Sequence, residues 1–556
     1  MAVNHAASHR GEAVNTAAWL WRLAMVSSAA VVAVPVVVIV ASLLGPYSAA
    51  WRHLFDTVLL DYVVNSLLLM LGVGVGTALL GVSTAWLTAH CEFPGRRLFS
   101  WALLLPMAMP AYIIAYTYTG LLDFAGPVQS SLRAGFDWQH GDYWFPEIRS
   151  LGGAICMLSL VLYPYVYLLA RVAFMDQSAA LGEASRSLGS SASQTFFRVT
   201  LPMARPAIAA GVSLALMETL ADYGTVAYFG VSAFTTGIFR TWYGLGELQT
   251  AAQLAACLLL FVIALFALER RSRARLRFHR LGTRRTARRI RLRGWRAITA
   301  VAGSLLVLSA GFLLPAAQLT GWAAQHYQDI FTAAFVALLG NSFLLAALAS
   351  LCCLLLALLL GYGKRAHPGR LEAVTTRVAS MGYAVPGTVI AVGVMIPFAW
   401  ADNTLDHWLQ QNVGLSPGLL VSGTLGALVF AYVVRFLAVS LQSVEAGLTR
   451  IRPDIDEAAR SLGHTPLGVL RRIHLPMLRG SLLTALLLVF VDVLKELPTT
   501  LILRPFNFNT LAVRAHELAS DERLAEAALP ALAIVLIGLI PVILLTRNMS
   551  KAAADP

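Results

Sequence analysis

Charge is what this chain has least of. Asp, Glu, Lys and Arg make up 13% of its 556 residues, against 58% hydrophobic ones, whereas soluble domains carry roughly 25% charged residues. A soluble globule is excluded on that ground. Cysteine is scarce too, at five residues. Cys156, Cys257, Cys352 and Cys353 fall in apolar segments and Cys91 in a turn, so no disulfide framework is written here and buried thiols are expected. The motifs of nucleotide hydrolysis and catalysis are also missing. Gly361-Tyr362-Gly363-Lys364 lacks the spacing and hydroxyl of a phosphate loop, and neither a zinc-protease helix nor a Gly-x-Ser-x-Gly elbow occurs. The chain is therefore expected to be no enzyme, to bind no cofactor itself, to hold no fixed metal and to draw its energy from elsewhere.

What is there is a series of apolar windows, each long enough to cross a hydrocarbon core of ~30 Å as a helix. Twelve are expected, at roughly 20–44, 63–87, 98–122, 150–174, 204–226, 250–269, 297–320, 339–362, 376–400, 419–446, 479–500 and 525–546. Helices satisfy every backbone amide within lipid, so the fold class is an all-α polytopic membrane protein. The net charge of +13 is concentrated: Arg270–Arg296 carries thirteen arginines, and basic turns follow spans two and eight. Residues 321–338 and 400–416 contain no Lys or Arg. The positive-inside rule puts both termini and the basic segment in the cytoplasm. Its arginines sit beside membrane ends, which favours contact with anionic headgroups over nucleic acid.

The chain also repeats itself. Glu183-Ala184-Ser185-Arg186-Ser187-Leu188-Gly189 returns as Glu457-Ala458-Ala459-Arg460-Ser461-Leu462-Gly463, and Leu201-Pro202 as Leu475-Pro476, all at an offset of 274 residues. Asn65-Ser66 returns as Asn341-Ser342, and Pro110 as Pro386, at 276. Equal spacing of long segments signals duplication. The expected organisation is an N-terminal unit (1–269), a basic linker (270–296) and a C-terminal unit (297–556), giving two tandem, parallel six-helix units with a pathway between them. Both Glu-Ala loops fall on the cytoplasmic side. Their glutamates offer acceptors to a basic partner, and the small residues and glycine allow another surface to approach closely.

Four acids stand in apolar surroundings. Glu218 and Asp222 are four apart in span five, on one helical face; Asp492 and Glu496 repeat them in span eleven. Each ionised acid at a bilayer centre costs about 2.5–3.5 kcal/mol on insertion scales, so these need a wet or a paired environment. Glu218 and Asp492 fall ~24 Å from the cytoplasmic end, which suits the lining of a pathway, pairing with Lys495 or Arg435, or a place in the wet outer headgroup zone. Carboxylates would suit a hard cation. Tyr112, Tyr116 and Tyr223 fit interface anchors better than further oxygen ligands. Arg435, opposite Val161 in the repeat, would equally serve an anionic substrate.

At the two Glu-Ala loops the chain resembles the permease subunits of ATP-binding-cassette importers, in the fused form, over residues 60–270 and 335–546. The resemblance implies two type I permease units in a bacterial inner membrane. It places Glu183, Ala184, Ser185 and Gly189 against one copy of a cytoplasmic ATPase subunit, and Glu457, Ala458, Ala459 and Gly463 against a second. ATP and Mg would be bound by that partner. Ser185 departs from the usual second alanine. Met217–Thr225, Lys495–Thr500, Arg504–Phe508 and Ala519–Leu529 are similar to segments of ferric-iron permeases, which implies an extracytoplasmic binding protein delivering Fe(III). Thiamine, polyamine and phosphonate permeases share the architecture, and an ion-coupled secondary transporter is the rival class.

Overall fold

The computed structural model describes residues 2–139, 141–177, 185, 187–274 and 289–554. Glu183, Ala184 and the middle of the basic segment lie outside the described residues. Eleven helices there are long and apolar enough to cross a membrane, and one bent pair brings the number to twelve. In chain order the spans are Trp19–Ser42, Leu59–His90, the bent pair Arg96–Ala108 with Ala111–Phe136, Leu151–Met175, Ser193–Ala221, Leu248–Glu269, Trp295–Tyr327, Ala333–Ala366, Gly387–Val413, Leu425–Thr449, Pro466–Leu494 and Leu524–Leu544. Each expected window overlaps a span, but the ninth, expected at 376–400, begins only at Gly387, because Pro386 separates it from the helix Arg370–Ala379. Six candidate spans separate the two Glu-Ala segments, the even number that the expectation of a shared side requires.

Span three bends by 94° because Pro110 stands at the break. Proline pushes the residue before it out of the helical region, and Met109 is extended at φ −101, ψ 117. Pro386 does the same in the second repeat, with Val385 at φ −85, ψ 128 before the helix Gly387–Val413. The repeat also shows in a paired contact. Asn65 Nδ2 donates to the Ser232 carbonyl at 2.9 Å, and Asn341 Nδ2 to the Asn509 carbonyl at 3.2 Å. Each ties an early span of its repeat to the segment that follows spans five and eleven.

Packing cuts across the two sequence halves. One compact unit holds Met1–Pro46 with Ala337–Thr510, the other Tyr47–Val336 with Leu511–Pro556. The division at 1–269 and 297–556 follows the repeat in the chain, and the compact units do not. In the first unit, span one presents Met25, Ala29, Val32 and Ile39, a buried stripe at helical spacing, to Arg370–Ala379 and span nine. Their backbones meet closely: a Cβ at Gly393 would lie 2.5 Å from the Pro35 carbonyl oxygen. In the second unit, span twelve packs on span seven and on the inner part of span three. There, too, the two-residue strands Cys91–Glu92 and Ile290–Arg291 pair in parallel, Cys91 opposite Ile290.

Two expectations change. Tyr112 and Tyr116 are buried, at 5% and 1% exposure, and do not serve as interface anchors. Of the free cysteines, Cys91 and Cys353 are buried but Cys156 is exposed.

Candidate functional site

In the second repeat the Glu-Ala segment is a nine-residue helix, Pro453–Ser461. Pro453 opens it, where a missing N–H costs nothing. Asp454 and Asp456 lie in its first turn, where the helix dipole favours acids. Glu457 and Ala458 are exposed and Ala459 is buried. The helix ends at Gly463 with φ 84, and His464 N donates to the Ala459 carbonyl at 3.1 Å, the closing bond of a Schellman end. The first repeat ends the same way: Gly189 has φ 86 and Ser190 N donates to the Ser185 carbonyl at 3.1 Å. A Cβ at either glycine would meet nothing within 4 Å. The sequence reading assigned these glycines to close approach of a partner. In the chain itself, the left-handed turn is what requires them.

The two segments are anchored differently. In the second, Asp456 accepts from Arg365 Nε at 2.7 Å and lies 2.6 Å from His474 Nε2. Arg365 also donates to the carbonyls of Leu448 and Ile451, and Tyr362 OH donates to the Pro466 carbonyl at 2.7 Å. This polar network joins the end of span eight, the helix Pro453–Ser461 and the start of span eleven. Burial acts to raise the Asp456 carboxyl, but the hydrogen bonds from Arg365 and His474 outweigh it and hold the group below the usual carboxylate range. At the same offset the first repeat has Gly182 for Asp456 and Thr200 for His474. It uses aromatics instead, with Trp86 and Phe196 centroids 5.5 Å apart, and one hydroxyl pair, Ser185 to Thr195 at 3.1 Å. Their counterparts are Ala459 and Val469, both buried, so Ser185 departs from alanine together with its partner.

Of the four acids, two cap short helices. Asp222 accepts from Thr225 N and Oγ1 at 3.0 Å and from Val226 N at 3.2 Å, at the start of Gly224–Tyr228. Glu496 accepts from Thr499 N at 3.1 Å and Thr499 Oγ1 at 2.7 Å, at the start of Pro498–Leu503. Glu496 also pairs with Arg435 Nη1 at 2.9 Å, and Asp492 with Lys495 at 2.9 Å. Glu218 is half-buried, one turn before Asp222. Asp222 lines a small cavity with Ser66, Thr219 and Thr235. Tyr223 stacks on Phe239 at 3.8 Å. No group of three or more His, Cys, Asp or Glu suited to a metal occurs among the described residues.

Sequence reasoning missed the Arg365–Asp456–His474 network, because Arg365 read as a topology signal and nothing in the spacing links it to a residue 91 positions away. It also missed Asp402, which is 2% exposed and accepts from Leu420 N, Val421 N and Ser422 N, fixing the turn between spans nine and ten.

Up to twelve apolar spans and a duplicated, identically terminated loop define a multi-pass membrane transport component. The family described as "Binding-protein-dependent transport system inner membrane component" matches residues 77–278 and 353–553. The chain belongs to that family and carries its permease unit twice. It is 27% identical to the Fe(3+)-transport system permease protein FbpB 2 of Haemophilus influenzae, over 90% of this chain and 92% of that one. Identity to the ferric transport system permease protein FbpB of Actinobacillus pleuropneumoniae is 23%, over 77% and 62%. The molybdenum transport system permease protein ModB of Escherichia coli K12 is 28% identical over 32% of this chain and 71% of its own.

Proposed function

We propose that this chain is the membrane subunit of an ATP-driven importer that moves ferric iron, delivered by an extracytoplasmic binding protein, along a path between its two repeats. The observation that carries the importer reading is the twin Schellman-ended loop at Ser185–Ser190 and Ala459–His464. An ion-coupled transporter gives no reason to build the same exposed loop twice on one side. Each loop would seat one copy of a cytoplasmic ATPase, which binds ATP and Mg, and both termini would lie with the loops.

The ferric reading is supported by similarity along nearly the whole chain to a permease named for Fe(3+) transport. The four acids lend it less. Asp492 and Glu496 already hold Lys495 and Arg435, and Arg435, so neutralised, offers little net charge to an anionic substrate either.

The test is uptake into proteoliposomes holding this chain, its ATPase and its binding protein. ATP-dependent entry of Fe(III) is the expected result. Uptake of thiamine, a polyamine or a phosphonate in its place would keep the machinery and replace the substrate. Uptake driven by a proton or sodium gradient without the ATPase would overturn the importer reading.

A further inference from the structure

Within the unit built from Met1–Pro46 and Ala337–Thr510, the half-buried Lys364 and Arg365 each have their own carboxylate, Glu445 at 2.8 Å and Asp456 at 2.7 Å, and the exposed Arg22 holds Glu372 at 2.8 Å. The other unit is not balanced in this way. There Arg96 and Arg289 share one acid, Glu92, at 3.0 and 3.6 Å. Arg171 has neither hydrogen-bond acceptor nor carboxylate among the described residues, and its Nε is buried without a partner.

These groups are close together. The pairing of Cys91 with Ile290 draws Arg289 to the turn that carries Glu92 and Arg96. Arg96, itself 8% exposed, donates to the Thr88 carbonyl at 3.2 Å. The Thr88 hydroxyl donates in turn to Tyr167 OH at 3.2 Å, one helical turn before Arg171. Arg289, though 44% exposed at its side chain, is pushed below its ordinary pKa by desolvation of its covered part and then by repulsion from Arg96, offset in part by Glu92, with Arg171 and Arg97 adding to it. Arg96 and Arg289 thus share one carboxylate at the end of spans two and four, with Arg171 one turn beyond Tyr167. Basic pockets between membrane helices on the cytoplasmic side hold anionic headgroups, and guanidinium forks match phosphate oxygens in geometry as well as charge.

We propose that Arg96, Arg171 and Arg289 form a binding site for a phosphate oxyanion, filled in the membrane by the headgroup of an anionic phospholipid. Arg171 supplies the unclaimed donors, Arg289 closes the site from the segment entering span seven, and Arg96 fixes the floor through Glu92 and Thr88.

The test uses the full chain, delipidated in a neutral detergent. Binding and thermal stabilisation are measured with short-chain phosphatidylglycerol, short-chain phosphatidylcholine and inorganic phosphate. Saturable binding of phosphatidylglycerol is expected, weaker by about tenfold or more in R171Q/R289Q, the loss of one or two charge-assisted hydrogen bonds. R370Q, an exposed cation of the other unit, should bind like the wild type. Inorganic phosphate binding as tightly as the lipid would support the site and assign it to a soluble anion. Equal lipid binding by wild type and variant would overturn the proposal, as would a wild type that binds neither the lipid nor phosphate. Arg289 is exposed, so R289Q alone carries the test where the double variant does not fold.

Discussion

Gly387 leaves room for the guanidinium of Arg435. A Cβ at 387 would sit 1.9 Å from Arg435 Nη1 and 2.6 Å from the Glu496 carboxylate. The first repeat has Ala111 in the glycine's place and Val161 in the arginine's. Space and cation have changed together. G387A should therefore displace Arg435 and leave Glu496 buried without its cation, a loss of roughly 3–5 kcal/mol. The triple variant G387A/R435V/E496D, which copies the first repeat, should recover most of that loss. Thermal melting in detergent checks it; a triple variant no more stable than G387A would break the argument.

Ser185 and Thr195 make the same kind of exchange on a smaller scale. S185A leaves the Thr195 hydroxyl, 9% exposed, without its partner and should cost about 1 kcal/mol. S185A/T195V reproduces Ala459 and Val469 and should be closer to wild type than S185A. A double-mutant cycle on melting temperature reads the coupling directly, and strict additivity would deny it.

Gly463 should respond to backbone preference and not to side-chain size as such. Open space surrounds it, so substitution costs the left-handed conformation, about 1–2 kcal/mol for alanine. Asparagine should be milder and valine worse. The readout is ATP-dependent uptake and ATPase attachment at a fixed amount of membrane-inserted chain. Alanine, asparagine and valine acting alike would point to a clash with the partner instead.

Asp456 predicts an acid limit. Its carboxyl is held below its ordinary value, so its contribution to stability is fully present above the unfolded pKa of about 3.9 and is lost as pH falls through the folded pKa. Between pH 5 and 8 this carboxylate should add no slope to the melting temperature, and below about pH 4 it should add a fall. D456N should lower stability near neutrality by about 3 kcal/mol and lose that acid-side fall. A wild-type and variant difference that stays constant down to pH 3 would contradict the network.

The spans and the repeat were legible because each has a local signature. Apolar length marks a crossing and equal spacing marks a duplication, whereas Gly189 and Gly463 were assigned to partner approach and proved to be left-handed helix ends. Span three's bend was not read from the sequence, where Pro110 and Pro386 served only as markers of the repeat. What was not legible is mostly partnership. Nothing near Trp21 tells it to donate to the Leu359 carbonyl at 3.1 Å, because lipid tails and neighbouring helices are alike to an apolar side chain. Tyr112 and Tyr116 misled for the same reason, since their place beside other helices and not at the interface depends on distant segments. The acids were found by their rarity in apolar sequence, but Asp222 and Glu496 proved also to be caps, a role Thr225 and Thr499 three residues on would have signalled.

The crossed make-up of the compact units sets an order of events at the ribosome. Span one is among the first segments made, yet the helix it packs on, Arg370–Ala379, is made roughly 330 residues later. At 5–20 residues per second that is roughly 15–65 s during which its inward stripe of Met25, Ala29, Val32 and Ile39 has only lipid or an insertion factor for company. The other unit waits longer still, since residues 511–556 complete it. The first unit is whole only once Thr510 is made and the second only after that, so a product cut before residue 510, or either repeat expressed alone, would leave both assemblies missing a piece and open to membrane quality control.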